Sequence, residues 1–115
     1  MWGSGIQPGH IVQGQIGDCY AIAALSAMAE NPYRVKNMFL TQSLNAEGIV
    51  AMRVFIKGKP SVMTIDDRIP YGTTTPLFLK AYSDSAYWPL FGEKIFAKIM
   101  VNYEMIGWGW MAEAL

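Results

Sequence analysis

The segment from Cys19 to Glu30 constrains the fold of this 115-residue chain most strongly. It is rich in alanine and apolar on nearly every side, which predicts a helix buried in a core. Asp18 precedes the segment as the predicted N-cap residue. Asn31-Pro32 is predicted to end it, because the residue before a proline avoids the helical conformation. Residues 1–17 are rich in glycine without periodicity and predict a loop-forming lead-in.

Two further helices and a β-hairpin are predicted after this segment. The apolar residues of Tyr33–Leu40 share one helical face, and those of Trp88–Met105 recur at spacings of three and four, so both ranges are predicted helices. Ile49–Lys57 and Ser61–Ile65 are rich in β-branched and aromatic residues around a Gly-Lys-Pro turn, which predicts a hairpin. Thr73–Ser85 is predicted to be mostly irregular. The expected fold class is α+β.

Charge and cysteine content exclude several functions. Nine Lys and Arg balance nine Asp and Glu, and without a basic cluster we expect no nucleic-acid partner. The uncharged run Cys19–Ala29 is well short of the roughly 20 residues that span a bilayer, so no membrane span is expected. The N-terminus lacks the features of a secretory signal, and the single cysteine forms no internal disulfide, so a cytoplasmic location is expected.

The composition also indicates a surface that needs a protein partner. Charged residues make up only 16% of the chain, against about 25% in ordinary soluble domains. The acidic pair Asp66-Asp67, beside Arg68 at a predicted strand end, is interpreted as an ion pair and turn rather than as an acid–base pair.

Cys19, the only thiol, lies at the first turn of the predicted first helix. A helix N-terminus carries partial positive charge and unpaired N–H groups, so it favours a thiolate and can stabilise an oxyanion. Gln13, six residues upstream, brings an amide donor that can turn back to the same point. On spacing alone, however, a free cysteine is more often an inert buried residue, and both interpretations stay open.

The residues around this thiol resemble the nucleophile region of the calpain family of cysteine proteases. The resemblance rests on Gln13-Gly14-x-x-Gly17-Asp18-Cys19-Tyr20, Ala23–Ser26, Glu30–Pro32, Asp66–Pro70 and the segment from Trp88 through Glu93-Lys94 to Tyr103-Glu104, in matching order. It covers nearly the whole chain. It implies the helical first lobe of a papain-like fold, with a buried nucleophile helix and a small antiparallel hairpin, so residues 1–115 would form part of a catalytic domain.

The resemblance also implies roles for individual residues. Cys19 matches the nucleophile, Gln13 the side chain of the oxyanion hole, and Gly109 a cleft glycine that faces the substrate backbone. Tyr20 replaces a common tryptophan, and we expect it to contact the substrate. Trp108 stands where a cleft glycine is expected and would narrow the substrate groove.

By the same resemblance, part of the catalytic machinery is expected to be absent. Papain-like chains place a His and an Asn roughly 130 to 150 residues after the Cys, whereas this sequence ends at Leu115 and no His follows Cys19. The second lobe is therefore expected to be missing and the chain to be inactive alone. His10, the only histidine, lies in the lead-in and is not expected to replace the base.

Calpains are typically calcium-dependent, and their first lobe contributes two acidic ligands, the kind of oxygen donor that calcium needs. The matching positions here are His10 and Ala86, with Asp84 nearby. The calcium site is therefore interpreted as lost, and we expect neither a metal nor another cofactor.

Two hypotheses from different classes remain. The first is the nucleophile-bearing part of a calpain-like intracellular thiol endopeptidase, which acts on protein substrates. The second is a non-catalytic calpain-like module for protein–protein interaction. In both, a set of apolar residues is expected to contact other protein, either a second catalytic lobe or a larger assembly: Trp108, Trp110, Met111, Ala114 and Leu115.

Overall fold

The computed structural model describes residues 1–12, 14, 17–74, 76–81 and 86–107, apart from the side chains of His10, Ala81 and Glu104. In chain order the elements are a 3₁₀ turn Pro8–His10, β1 Ile11–Val12, α1 Cys19–Ala29, α2 Pro32–Met38, β2 Ile49–Ile56, β3 Lys59–Asp66, β4 Lys80–Ala81, α3 Trp88–Ile99 and a 3₁₀ turn Glu104–Ile106. The predicted α+β class is confirmed. The predictions for Gln13, Asp84 and residues 108–115 lie outside the described residues.

The first helix, α1, begins at Cys19 as predicted but is less buried than expected. Its side that packs against α2 and α3 is closed from solvent. The opposite face is exposed and carries side chains four residues apart, Cys19, Ala23 and Ala27. The expectation of a helix buried on nearly every side is therefore wrong, because α1 packs along one side only.

The strands β2 and β3 form the predicted hairpin and pair antiparallel along their full length. At the turn, Lys57 has a φ of 51° and Gly58 a φ of 77°. Two successive left-handed residues match the twist of the flanking strands. β3 includes Pro60, which is tolerated because a two-stranded sheet has only edge strands and Pro donates no N–H. The hairpin contributes three buried side chains to the core, those of Val50, Met52 and Ile65.

Both remaining helices are shorter than predicted. α2 ends at Met38 instead of Leu40, and α3 ends at Ile99 instead of Met105. Val101 has a φ of 85°, a left-handed conformation that interrupts a right-handed helix soon after Ile99. The residues after α3 therefore form a turn of their own.

The helix α3 lies at the centre of the fold and contacts both α1 and β3. It approaches α1 closely at Gly92, where a Cβ would lie 3.2 Å from a methyl carbon of Leu25. The core around it includes Val35, Phe39, Met52, Trp88, Phe91 and Ile95. None of the helices in the described part of the chain is long and apolar enough to cross a membrane.

On its other side, α3 is joined to the end of β3 by charged and polar contacts. Lys94 forms an ion pair with Asp66, and the Arg68 N–H donates to Asp66 Oδ1 at 2.9 Å. The predicted turn at Asp66 is confirmed, and so is an ion pair. Its partner, however, is Lys94 and not the neighbouring Arg68.

Candidate active site

Cys19 is the first residue of α1, and its side chain is exposed. The first helical hydrogen bonds run from the N–H groups of Ala21 and Ile22 to the Asp18 carbonyl, at 2.9 and 3.1 Å. The Cys19 N–H precedes these bonds and so belongs to the orphan donors of the helix N-terminus. The alternative of a buried cysteine is therefore wrong, and the reactivity of the thiol stays a prediction.

Two glycines allow the loop before Cys19 to approach neighbouring segments closely. A Cβ on Gly14 would lie 1.3 Å from the Phe78 carbonyl oxygen, and one on Gly17 would lie 2.7 Å from the Gly107 carbonyl oxygen. Both distances are shorter than any ordinary contact of a Cβ atom. Only glycine fits at either position without moving the backbone.

Directly before the thiol, two carboxylic acids lie next to each other in the interior. Asp18 is 0% exposed and Glu93, on α3, is 3% exposed. Both carboxyl oxygens of Glu93 accept the Leu79 N–H, at 3.2 and 3.0 Å. Asp18 occupies the N-cap position, but its side chain makes no capping hydrogen bond, so its predicted capping role is wrong. The side chain is drawn into the interior beside Glu93 instead.

Two carboxyl groups form a hydrogen bond with each other only when one of them carries a proton. No N–H group or alcohol hydroxyl of another residue in the described part of the chain donates to the oxygens of Asp18. Burial and the hydrogen bond to Asp18 raise the pKa of Glu93 to about 9, although the Leu79 N–H opposes the shift. Burial also raises the pKa of Asp18, while the hydrogen bond from Glu93 counteracts this. At neutral pH Glu93 is therefore the protonated acid and donates to the Asp18 carboxylate.

Glu93 has no role in the sequence-based prediction, where it appears only as part of a matching motif. The spacing of apolar residues around Glu93 could nevertheless have predicted that it is buried. Leu90 and Ala97 lie three residues before and four residues after Glu93, and both are buried. This spacing places the acid on the apolar face of α3, where a carboxyl group needs a partner.

Of the other predicted site residues, Tyr20 lies within the described part of the chain. Tyr20 is buried, and its ring contacts Phe96 of α3 edge-on, with ring centroids 5.8 Å apart. Its contact with a substrate stays a prediction. Gln13 and Gly109 lie outside the described residues, so their roles also stay predictions.

A cavity of about 640 Å³ lies between α1, β2 and α3. Its walls are mostly apolar, and Asp18 and Glu93 are among its few polar lining residues. Cys19 does not line it. The cavity is therefore open to solvent beside α1, with exposed Phe55 and Lys57 among its lining residues, and is not a cleft around the thiol.

For metal binding, the described residues contain no group of three or more His, Cys, Asp and Glu side chains that would hold an ion. Ala86, at one position matched to a family calcium ligand, is fully buried. The side chain of His10 and all of Asp84 lie outside the described part of the chain. Loss of the calcium site therefore stays a prediction.

Comparison with known proteins gives the family of this chain. The calpain family cysteine protease model matches residues 1–115. Calpain-13 of Rattus norvegicus is 31% identical over 108 residues, which cover 91% of this chain and 16% of the relative. Calpain clp-1 of Caenorhabditis elegans is 32% identical over 108 residues, which cover 91% of this chain and 14% of the relative.

A plant relative extends the match to the full chain. Calpain-type cysteine protease ADL1 of Oryza sativa subsp. japonica is 28% identical over 116 residues, which cover 100% of this chain and 5% of the relative. The chain thus spans only a small part of the length of these curated relatives. Since the family model matches from the first residue to the last, the chain belongs to the calpain family of cysteine proteases.

Proposed function

We propose that this chain is the nucleophile-bearing part of a calpain-like thiol endopeptidase that acts on proteins inside the cell. The observation that carries the proposal is the exposed thiol of Cys19 at the first residue of α1, in a chain of a cysteine protease family. In this proposal α1 is the central helix of the helical lobe of a papain-like fold. Its exposed face, with Ala23 and Ala27, packs against a second lobe.

The proposed reaction begins with attack of the Cys19 thiolate on the carbonyl carbon of a peptide bond. The carbonyl electron pair moves to oxygen, and the oxyanion accepts hydrogen bonds from the Cys19 N–H and the Gln13 amide. The C–N bond then breaks, a general acid protonates the leaving amine, and water hydrolyses the resulting thioester. No His follows Cys19 in the sequence, so in this proposal the acid–base imidazole comes from outside these 115 residues.

Reactivity of Cys19 tests the nucleophile directly. We expect iodoacetamide to alkylate the folded chain about five to ten times faster at neutral pH than the urea-unfolded chain, because the helix N-terminus favours the thiolate. Cys19 is the only cysteine, so Cys19→Ser serves as a blank without any thiol. Equal rates for the folded and unfolded chains would contradict the proposal.

A chimera tests proteolysis. In the chimera, residues 1–115 of this chain replace the matching segment of calpain clp-1. Its peptidase activity is measured with a fluorogenic peptide. We expect activity that Cys19→Ala abolishes and that His10→Ala leaves intact. The isolated chain is expected to show no hydrolysis above background, because it lacks a base. Robust turnover of the isolated chain, lost on His10→Ala, would show that His10 is the base.

A non-catalytic module for protein binding is the second candidate. The observation that favours it is the exposure of large apolar side chains in the described part of the chain, among them Tyr33, Phe55, Val62 and Val101. This candidate predicts an inactive chimera whose Cys19 reacts no faster than an unfolded thiol. An active chimera contradicts it.

A further inference from the structure

The loop that leads to Cys19 is held at both ends by groups that meet at Glu93. At its start, Gly14 lies against the Phe78 carbonyl, and the next residue, Leu79, donates its N–H to Glu93. At its end, Asp18 shares a hydrogen bond with the same Glu93 side chain. One carboxyl group of α3 therefore connects the two ends of the loop.

A second set of contacts ties together the segments that touch this loop. Phe78 stacks on Tyr103, with ring centroids 4.2 Å apart and the ring planes 19° from parallel. Four residues after Tyr103, the Gly107 carbonyl lies against Gly17 of the loop. The backbone on both sides of the loop is thus braced, and Glu93 is the polar centre of the arrangement.

We propose that Asp18 and Glu93 form a clamp that positions the nucleophile loop, and that Glu93 acts as a positioning residue for Cys19 although it touches no substrate. The inference rests on the proposed function of Cys19 as a nucleophile and deepens it. Asp18 adjoins Cys19 in the chain, so a shift of its buried side chain moves the first turn of α1 and the N–H groups around the thiol.

Two acids can form this clamp because they share one proton. A neutral carboxylic acid donates a short, charge-assisted hydrogen bond to a carboxylate, and the pair then carries a single negative charge. Loss of that proton places two negative charges side by side in the interior, which repel each other. Besides Asp18, the titratable group among the described residues that interacts with Glu93 is the Tyr103 phenol, whose pKa is raised by burial and by the charges of Glu93, Asp66 and Asp18. The clamp therefore holds while Glu93 is protonated and opens as it ionises.

The test measures how the fold enhances the reactivity of Cys19 in the 115-residue chain. At each pH, the iodoacetamide rate of the folded chain is divided by the rate of the urea-unfolded chain, and this enhancement is compared between variants at the same pH. For Glu93→Gln we expect an enhancement within about twofold of the original at neutral pH, because the amide donates to Asp18 and its oxygen accepts from Leu79. For Glu93→Ala we expect a loss of about five- to tenfold. Lys94→Ala, at the next position of α3, is the matched control and is expected to change nothing.

The pH profile separates a clamp from a merely structural role. The enhancement falls in every variant as the unfolded thiol also ionises above neutral pH, but it should fall more steeply in the original chain, where Glu93 ionises too, than in Glu93→Gln. A parallel measurement follows amide hydrogen exchange at Ala21 and Ile22, which donate to the Asp18 carbonyl. Exchange there should accelerate in Glu93→Ala and not in Glu93→Gln.

Each outcome bears on a different claim. If the original chain shows no enhancement, Cys19 is not an activated nucleophile and the proposed function fails. The clamp fails separately if Glu93→Ala folds and leaves both the enhancement and the exchange at Ala21 and Ile22 unchanged. It also fails if Glu93→Gln has the same alkaline decline as the original chain. If Glu93→Ala does not fold, the comparison of Glu93→Gln with the original chain still decides.

Discussion

Glu93 and Lys94 are neighbours in α3, but each contacts an aspartate on a different side of the helix. Glu93 lies in a buried pair of acids, whereas Lys94 belongs to an exposed ion pair. Glu93 is 3% exposed and its raised pKa keeps it protonated at neutral pH, beside Asp18 and the loop that leads to Cys19. Lys94 pairs with Asp66 of the hairpin, and the Asp66 side chain is 62% exposed. Burial raises the pKa of Glu93 to about 9, whereas the Lys94 ammonium and the Arg68 N–H hold the pKa of Asp66 below its usual range.

The difference shows that surroundings, not residue type, decide what a carboxyl group does here. In the interior, charge is costly, so the pair keeps a proton and depends on every partner. At the surface, water and salt screen the ion pair, so either member is replaceable at small cost. The loop side of α3 is therefore expected to be sensitive to mutation and pH, and the hairpin side tolerant.

The largest effect is expected from removing the buried acid. Glu93→Ala leaves the Leu79 N–H and the Asp18 carboxyl without their partner, which should lower the unfolding free energy by about 3 kcal/mol. Lys94→Ala, next to it, should cost about 0.5 kcal/mol. Urea titrations of both variants measure the contrast, and equal losses would show that the two sides of α3 do not differ.

A second expected effect is the dependence of stability on pH. The folded chain retains the Glu93 proton from the ordinary pKa of 4.5 up to about 9, whereas the unfolded chain releases it near 4.5. Because the folded state binds the extra proton, the unfolding free energy should fall as pH rises in this window, by about 1.4 kcal/mol per pH unit. Urea titrations at several pH values test this. Glu93→Gln should flatten the slope, and an equally steep slope in that variant would assign the effect to another group.

The smallest effect is expected at the exposed pair. Asp66→Asn should lower the unfolding free energy by about 0.5 kcal/mol at neutral pH. The folded pKa of Asp66 is lowered, so its contribution is present above the ordinary value of 3.8 and is lost as pH falls below it. Thermal melts at neutral and acidic pH, each with and without added salt, check this. A difference that persists in acid would point to the turn hydrogen bond with Arg68 and not to the ion pair.

Local patterns were sufficient for much of the fold and for the place of Cys19 at the start of a helix. The start of α1 at Cys19 and of α3 at Trp88 followed from apolar periodicity after a loop, and the hairpin from its β-branched runs. Helix ends were less accurate, because the left-handed Val101 that follows α3 has no local signal. The order of motifs around Cys19 was sufficient to predict the calpain family, which the family model confirms.

The sequence by itself determined the family, the identity of the single thiol and its place at a helix N-terminus, because these depend on residues close together in the chain. Only the tertiary structure decided that α1 is exposed along its thiol face, and that Asp18 turns inward instead of capping α1. It also decided that Glu93, far from Cys19 in sequence, lies beside Asp18 and accepts the N–H of Leu79, the neighbour of Phe78, whose carbonyl touches Gly14. These features depend on which side of one helix packs against another, and on the burial that makes a carboxyl group keep its proton.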